Sequence, residues 1–222
     1  MNHAANTNKS HILTFTGLIA MIIMTMTKIV PSLQVAGYSV LVGIAFFFIV
    51  EAVEKVSPVE SGLRFKSFFA DLKKPGVLPL VLLPIATGIA TLFVGDLIFS
   101  GGFTSHIMGR TDSMLSFNKI PMLVGQVIIA ALGEEIAWRG FFLGKSMQKF
   151  PFWICAVVSS VLFAAGHIAV GNPVLVLYDV ATIFIDSMIY AIIFRKSGNC
   201  LISTVSHILC NATGIVACLV FI

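Results

Sequence analysis

Residues 120–143 read IPMLVGQVIIAALGEEIAWRGFFL, an apolar run interrupted near its end by Glu134, Glu135 and Arg139. A helix that crosses a bilayer needs ~20 predominantly apolar residues, which this run supplies. Ionisable groups at bilayer depth are costly, and they mark functional sites by default. The rest of the chain matches this stretch. It is 58% hydrophobic and 11% charged, against roughly 25% charged in a soluble domain. That leaves too little polar surface for a water-soluble globule. Further apolar runs lie at 12–30, 33–53, 77–99, 152–171, 174–194 and 200–222. They are too long for barrel strands and show no alternation of period two. The fold expected is all-α: a polytopic membrane bundle of seven spans, with residues 1–222 forming one integral membrane domain. Pro79 and Pro84 predict a kink or broken start in the run 77–99.

Basic residues set the expected orientation. With a cytoplasmic N-terminus, the inner side collects Lys9, Lys55, Arg64, Lys66, Lys73, Lys74, Arg139, Lys145, Lys149, Arg195 and Lys196, and the outer side only Lys28, Arg110 and Lys119. This positive-inside asymmetry predicts a C-terminus outside. The net charge of +4 then follows from topology and anionic lipid, with no nucleic-acid signal. The first run is longer than the 7–15 residues of a signal-peptide core and lacks an A-x-A site, so it reads as a retained helix. Residues 58–74, PVESGLRFKSFFADLKK, interleave Leu63, Phe65, Phe68, Phe69 and Leu72 with Arg64, Lys66, Lys73 and Lys74. That pattern predicts an amphipathic helix on the cytoplasmic surface. The stretch 100–119 reads as an exposed outer loop. Cys155, Cys200, Cys210 and Cys218 show no C-x-x-C spacing and read as small apolar residues.

Spacing separates the roles of the polar residues inside the spans. Glu135 and Arg139 fall one helical turn apart, with the glutamate first, the favourable order for an ion pair. Arg139 is expected to hold Glu135 and to anchor the cytoplasmic end of the span. Glu134 points about 100° away and lacks that partner, which suits a general base. FAAGH places Phe163 and His167 one turn apart, and HILCN does the same for His207 and Asn211. Together they offer a base, a second group to orient a water, and donors for an oxyanion, the inventory for adding water to a carbonyl.

EEIAWRGFF, FAAGH and HILCN, in that order on three motif-bearing helices, resemble the signatures of the CPBP family, the CAAX-protease and bacteriocin-processing or Abi family. The resemblance covers about residues 120–214 and includes FRKSGNCLISTVSHILCN, a basic, glycine-containing turn leading into the last motif. It implies a glutamate-type intramembrane peptidase. In that reading Glu134 is the general base, His167 positions the water, and His207 and Asn211 stabilise the oxyanion. Glu135 and Arg139 are supporting. The family implies an eight-helix core, so 77–99 or 174–194 is expected to hold more than one element if the count is eight. It also implies a membrane-associated or prenylated peptide substrate, presented here from the cytoplasmic side. No cofactor is expected. Zinc is the alternative, disfavoured because the H-E-x-x-H pair is missing and Asn211 is a poor zinc ligand.

Two other classes compete. A proton-coupled transporter predicts inverted repeats, which the sequence lacks. A non-catalytic bacteriocin-immunity or scaffold protein predicts that the carboxylate is dispensable. The compact chain points to a bacterial plasma membrane. Asp179, Asp186 and Tyr190 share a helical face and read as hydrogen-bonding to neighbouring helices or as lining a wet cavity, while Asp96 reads as interfacial. Counted along ideal helices, Glu134 lies ~13 Å from its cytoplasmic end, His207 and Asn211 ~10–17 Å, and His167 ~22 Å. His167 is therefore expected on a tilted or submerged helix.

Overall fold

The computed structural model describes residues 2–29, 37–112, 115–116 and 119–221, and every regular element among them is helical. The helices are α1 (Asn2–Met26), α2 (Tyr38–Glu54), α3 (Phe68–Leu72), α4 (Val77–Phe99), α5 (Gly102–Asp112), α6 (Ile120–Ser146), α7 (Phe152–Ala165), α8 (Pro173–Ser197) and α9 (Cys200–Phe221). Five are long and apolar enough to cross a membrane: α1 over Asn8–Met26, α4, α6, α8, and α9 over Cys200–Leu219. α2 has 17 residues and α7 has 14, about 25 and 21 Å at 1.5 Å per residue. They stand where the spans 33–53 and 152–171 are expected, and part of the first lies outside the described residues.

The outer surface is apolar. α1 exposes Ile12, Phe15, Ile19 and Ile23 along one face, α6 exposes Met122, Val124 and Ile129, and α7 exposes Trp153, Val157 and Val161. Such faces suit lipid, in which helices associate through close packing and polar contacts. The second half of α6 is the packing hub: every residue from Ile136 to Leu143 is buried. Met21 of α1, Phe47 and Val50 of α2, Phe163 of α7 and Phe194 of α8 surround it. Gly43 lets α2 approach this hub, because a Cβ there would lie 2.6 Å from Cβ of Ala137. A second cluster, including Val81, Ile189, Ile193 and Ile202, joins α4, α8 and α9. α9 is thereby held among α4, α6 and α8.

The hub is not an ideal α-helix. α6 runs as α-helix to Glu135 and as π-helix over Ile136–Leu143, and the Gly144 N–H reaches back five residues to the Arg139 carbonyl. π segments are rare and concentrate at functional sites. Here the wider turn follows directly on the two glutamates.

Several expectations need correction. α4 runs unbroken through Pro84. Pro79 stands in the first turn, where a missing N–H costs nothing. The tract 174–194 lies within the single helix α8. The expected amphipathic helix 58–74 is mostly turns, with regular helix only at Phe68–Leu72. Its backbone is bonded elsewhere. The Arg64 N–H and carbonyl both go to the Asn199 side chain, at 3.3 and 2.8 Å. The Gly62 carbonyl accepts from the Cys200 N–H at 2.8 Å. Gly62 also has φ of 107°, outside any right-handed helix. The stretch read as an outer loop contains α5, packed through buried Phe103 and Thr104. Asp96 caps it, accepting from the Thr104 N–H at 2.8 Å and from the Thr104 hydroxyl. At the other end of the bundle, buried Lys145 pairs with Glu51 at 2.8 Å and Glu54 at 2.7 Å, tying α6 to α2.

Candidate active site

Glu134 and Glu135 stand at the last α-helical turn of α6, opposite His207 on α9. Glu135 is fully buried, and its Oε1 lies 3.0 Å from Arg139 Nη1 and 3.1 Å from His207 Nδ1. A carboxylate held by a guanidinium is an acceptor, so His207 Nδ1 is the donor of that contact. His207 Nε2 then points to Glu134, 3.7 Å from its Oε2. One imidazole thus bridges the two adjacent carboxylates. Tyr190 of α8 stacks on it at 4.8 Å with an interplanar angle of 21°, and Phe163 meets it edge-on at 6.0 Å.

Arg139 is buried behind this group. Its Nη2 donates to the Ser187 carbonyl at 3.0 Å and hydroxyl at 2.8 Å, and Ser187 donates to Ser160 Oγ at 2.9 Å. The guanidinium also lies 4.8 Å from the Phe163 ring centroid and 5.3 Å from that of Tyr190. Arg139 therefore pins α6 to α7 and α8. It does not anchor the cytoplasmic end of the span as the sequence suggested, because Ser187 and the two rings hold it inside the bundle.

His167 lies two residues beyond the end of α7, which stops at Ala165. Its Nδ1 is 2.8 Å from the Phe163 carbonyl, and its ring lies 4.8 Å from that of Phe163. A carbonyl can only accept, so Nδ1 carries the proton and Nε2 is left as an acceptor. His167 is thus reached by a turn off the end of a short helix. The Asn172 side chain, accepting from Val174 and Leu175 N–H groups, then starts α8.

Glu134, His167, His207 and Asn211 all line one cavity of about 360 Å³, while Glu135 and Arg139 stand behind its wall. Of the two adjacent glutamates, only Glu134 faces the cavity. Asp179 and Asp186 line the same cavity and also bond neighbouring helices. Asp179 holds His106 at 3.2 Å and Arg110 at 3.3 Å, and Asp186 accepts from Thr87 at 2.8 Å. The sequence reading missed Ser160, Ser187, His106 and Arg110. The serines are uncharged and gave no signal beyond small polar residues at mid-span. His106 and Arg110 had one, the i,i+4 spacing inside a stretch read as loop.

Zinc, the alternative in the sequence reading, would have to draw on Glu134, His167 and His207. Among the described residues no three His, Cys, Asp or Glu side chains converge as a ligand set. The Nδ1 atoms of His207 and His167 are committed to Glu135 and the Phe163 carbonyl, which leaves only their Nε2 atoms for other partners.

A helical membrane bundle that gathers carboxylates, imidazoles and an amide around one internal cavity has the form of a membrane-embedded hydrolase. Residues 116–213 match the family model described as Rce1-like, type II CAAX prenyl endopeptidase. The matched segment carries all three motifs. The match supports a CAAX-type intramembrane protease. Among curated proteins and among solved structures, nothing matches the chain.

Proposed function

We propose that the protein is an intramembrane endopeptidase that hydrolyses a peptide bond of a membrane-associated or prenylated peptide with a water activated by Glu134. The observation that carries this reading is the convergence of Glu134, His167, His207 and Asn211 on one cavity. Glu134 and His207 Nε2 are 3.7 Å apart, too far for a direct hydrogen bond and suited to a shared water. His167 Nε2, left as an acceptor, orients that water by taking one of its hydrogens. Glu134 removes the other proton as the oxygen attacks the carbonyl carbon. The oxyanion that forms accepts from the Asn211 amide and, when His207 carries both ring protons, from its Nε2–H. Glu134 then passes its proton to the departing nitrogen as the oxyanion collapses and the C–N bond breaks, leaving an amine and a carboxylic acid whose remaining proton goes to the amine. Glu135, fixed by Arg139, sets the orientation of His207.

The chemistry needs no metal, and activity should survive thorough chelation. Integral membrane placement follows from the apolar helices. A bacterial plasma membrane, with the N-terminus inside and the C-terminus outside, completes the reading. The test is Glu134→Gln. Peptide cleavage and the cellular phenotype are lost if the reading is right, and the phenotype persists if the protein is a non-catalytic immunity or scaffold factor.

A further inference from the structure

The cavity reaches only one end of the bundle. Beyond the catalytic cluster its wall passes through Gly214 and Cys218 of α9 and Arg110 and Thr111 of α5, then Leu115 and Lys28. Among the described residues none of the opposite end contributes, and the separate cavity there, lined by Glu54, Gly140, Lys145 and Gly198, shares no lining residue with it. There, Arg139 is locked to Ser187 and Ser160, and the segment Ile136–Leu143 is packed without exposure. Ser10, Lys145, Glu51 and Glu54 cluster at that closed end, and Lys74 with Asp71 and Asn199 lies at the start of α4 and α9. The closed end thus coincides with the one that gathers Lys9, Lys55, Arg64, Lys66, Lys73, Lys74, Lys145, Lys149, Arg195 and Lys196. By the positive-inside rule it is cytoplasmic. The end reached by the cavity carries only Lys28, Arg110 and Lys119.

The geometry points to a site entered from the extracytoplasmic side, so that the protein takes peptides presented at the outer leaflet. Calling the occupant a substrate rests on the proposed peptidase function; the direction of entry does not. It reverses the cytoplasmic presentation expected from sequence, in which hydropathy and motif spacing do not show which end of the bundle the cavity reaches.

Substituted-cysteine labelling tests it without catalysis. In a chain whose native cysteines are replaced, Asn211→Cys reports the cavity floor, Thr111→Cys its rim, and Gln148→Cys the opposite end, where residue 148 is exposed. A charged, membrane-impermeant methanethiosulfonate should modify the first two in intact cells, and Gln148→Cys only in inverted vesicles. Labelling of denatured samples shows that each thiol is competent. Modification of Asn211→Cys solely in inverted vesicles, or from neither side, overturns the inference, as does labelling of Gln148→Cys in intact cells. A chain without peptidase activity would label in the same way, so the two readings fail separately.

Discussion

His207 lies between Glu135, 3.1 Å from its Nδ1, and Glu134, 3.7 Å from its Nε2. Two carboxylates adjacent in sequence therefore meet the two edges of one ring. The shorter contact is backed by Arg139 at 3.0 Å, and the longer one faces the cavity. In the proposed mechanism this asymmetry makes Glu135 a positioning residue and Glu134 the reacting one. Glu134→Gln, similar in shape but unable to take a proton, should lower kcat by at least the ~10²–10⁴-fold typical of a lost general base. Thermal unfolding in detergent should stay near wild type, since the Glu134 side chain is 20% exposed and its contact with His207 is 3.7 Å long.

Glu135→Ala should behave in the opposite manner. It leaves the Arg139 guanidinium buried without its counter-charge, which costs about 3–5 kcal/mol when one partner of a buried pair is removed. The measurement is a fall in unfolding temperature alongside lost activity. The double variant Glu135→Gln with Arg139→Met removes both charges and should recover much of the stability. It should not recover the activity, because a neutral amide oxygen holds the His207 Nδ1 proton less firmly than the carboxylate.

Tyr190 offers a test of ring orientation. The phenol stacks on His207 through its face, so Tyr190→Phe retains the stack and should leave kcat within a few-fold of wild type. Tyr190→Ala frees the imidazole to rotate away from both carboxylates and should reduce kcat by about 10²-fold, on the scale of a misplaced catalytic group. Rescue by phenylalanine distinguishes positioning from a requirement for the hydroxyl.

Asp71 gives the bundle a pH dependence outside its membrane-spanning helices. Burial opposes its ionisation. Lys74 at 2.8 Å, Ser67 at 2.6 Å and Asn199 at 3.0 Å outweigh burial and hold the carboxyl below its ordinary range. A carboxyl whose folded pKa is depressed adds stability that is fully present above its unfolded value, near ~3.9. That stability is lost as pH falls through the lower folded value. Unfolding measured between pH 7 and pH 3 should therefore show a loss at the acidic end. Asp71→Asn should reduce that loss while lowering stability at neutral pH. The turn 62–64 that hangs on Asn199 should loosen in the same variant.

Much of this site was legible because chemistry and spacing agreed. Three ionisable residues in one apolar run admit few explanations, and the Glu135–Arg139 pair follows from i,i+4 geometry alone. The three motif helices were equally plain from hydropathy. What escaped depended on contacts between distant segments. The backbone of 62–64 is bonded to Asn199, more than a hundred residues away, so its local amphipathic pattern did not decide its structure. α5 is a helix through Asp96, Tyr178 and Asp179, none within its own sequence. The π turn after Glu135 leaves no periodic mark, and His167 is set by where α7 ends. Which end of the cavity is sealed depends on Ser160 and Ser187 meeting Arg139, a contact across three helices.

The close approach of α2 to the π segment leads to a last prediction. Gly43 faces Ala137, midway between the glutamates and Arg139, and an added Cβ would come within 2.6 Å of the alanine Cβ and 3.0 Å of its Cα. Neither neighbour is a flexible side-chain end, so the backbones themselves must separate. Gly43→Val should cost about 1–3 kcal/mol, as overpacking generally does. Its effect on catalysis should exceed what that loss explains, because the segment displaced is the one that sets Glu134 against His207. The comparison is with Gly109→Val, where a Cβ meets nothing within 4 Å: similar bulk in a helix, with kcat preserved. If Gly43→Val keeps full activity in folded protein, the π segment is not what holds the two glutamates in register.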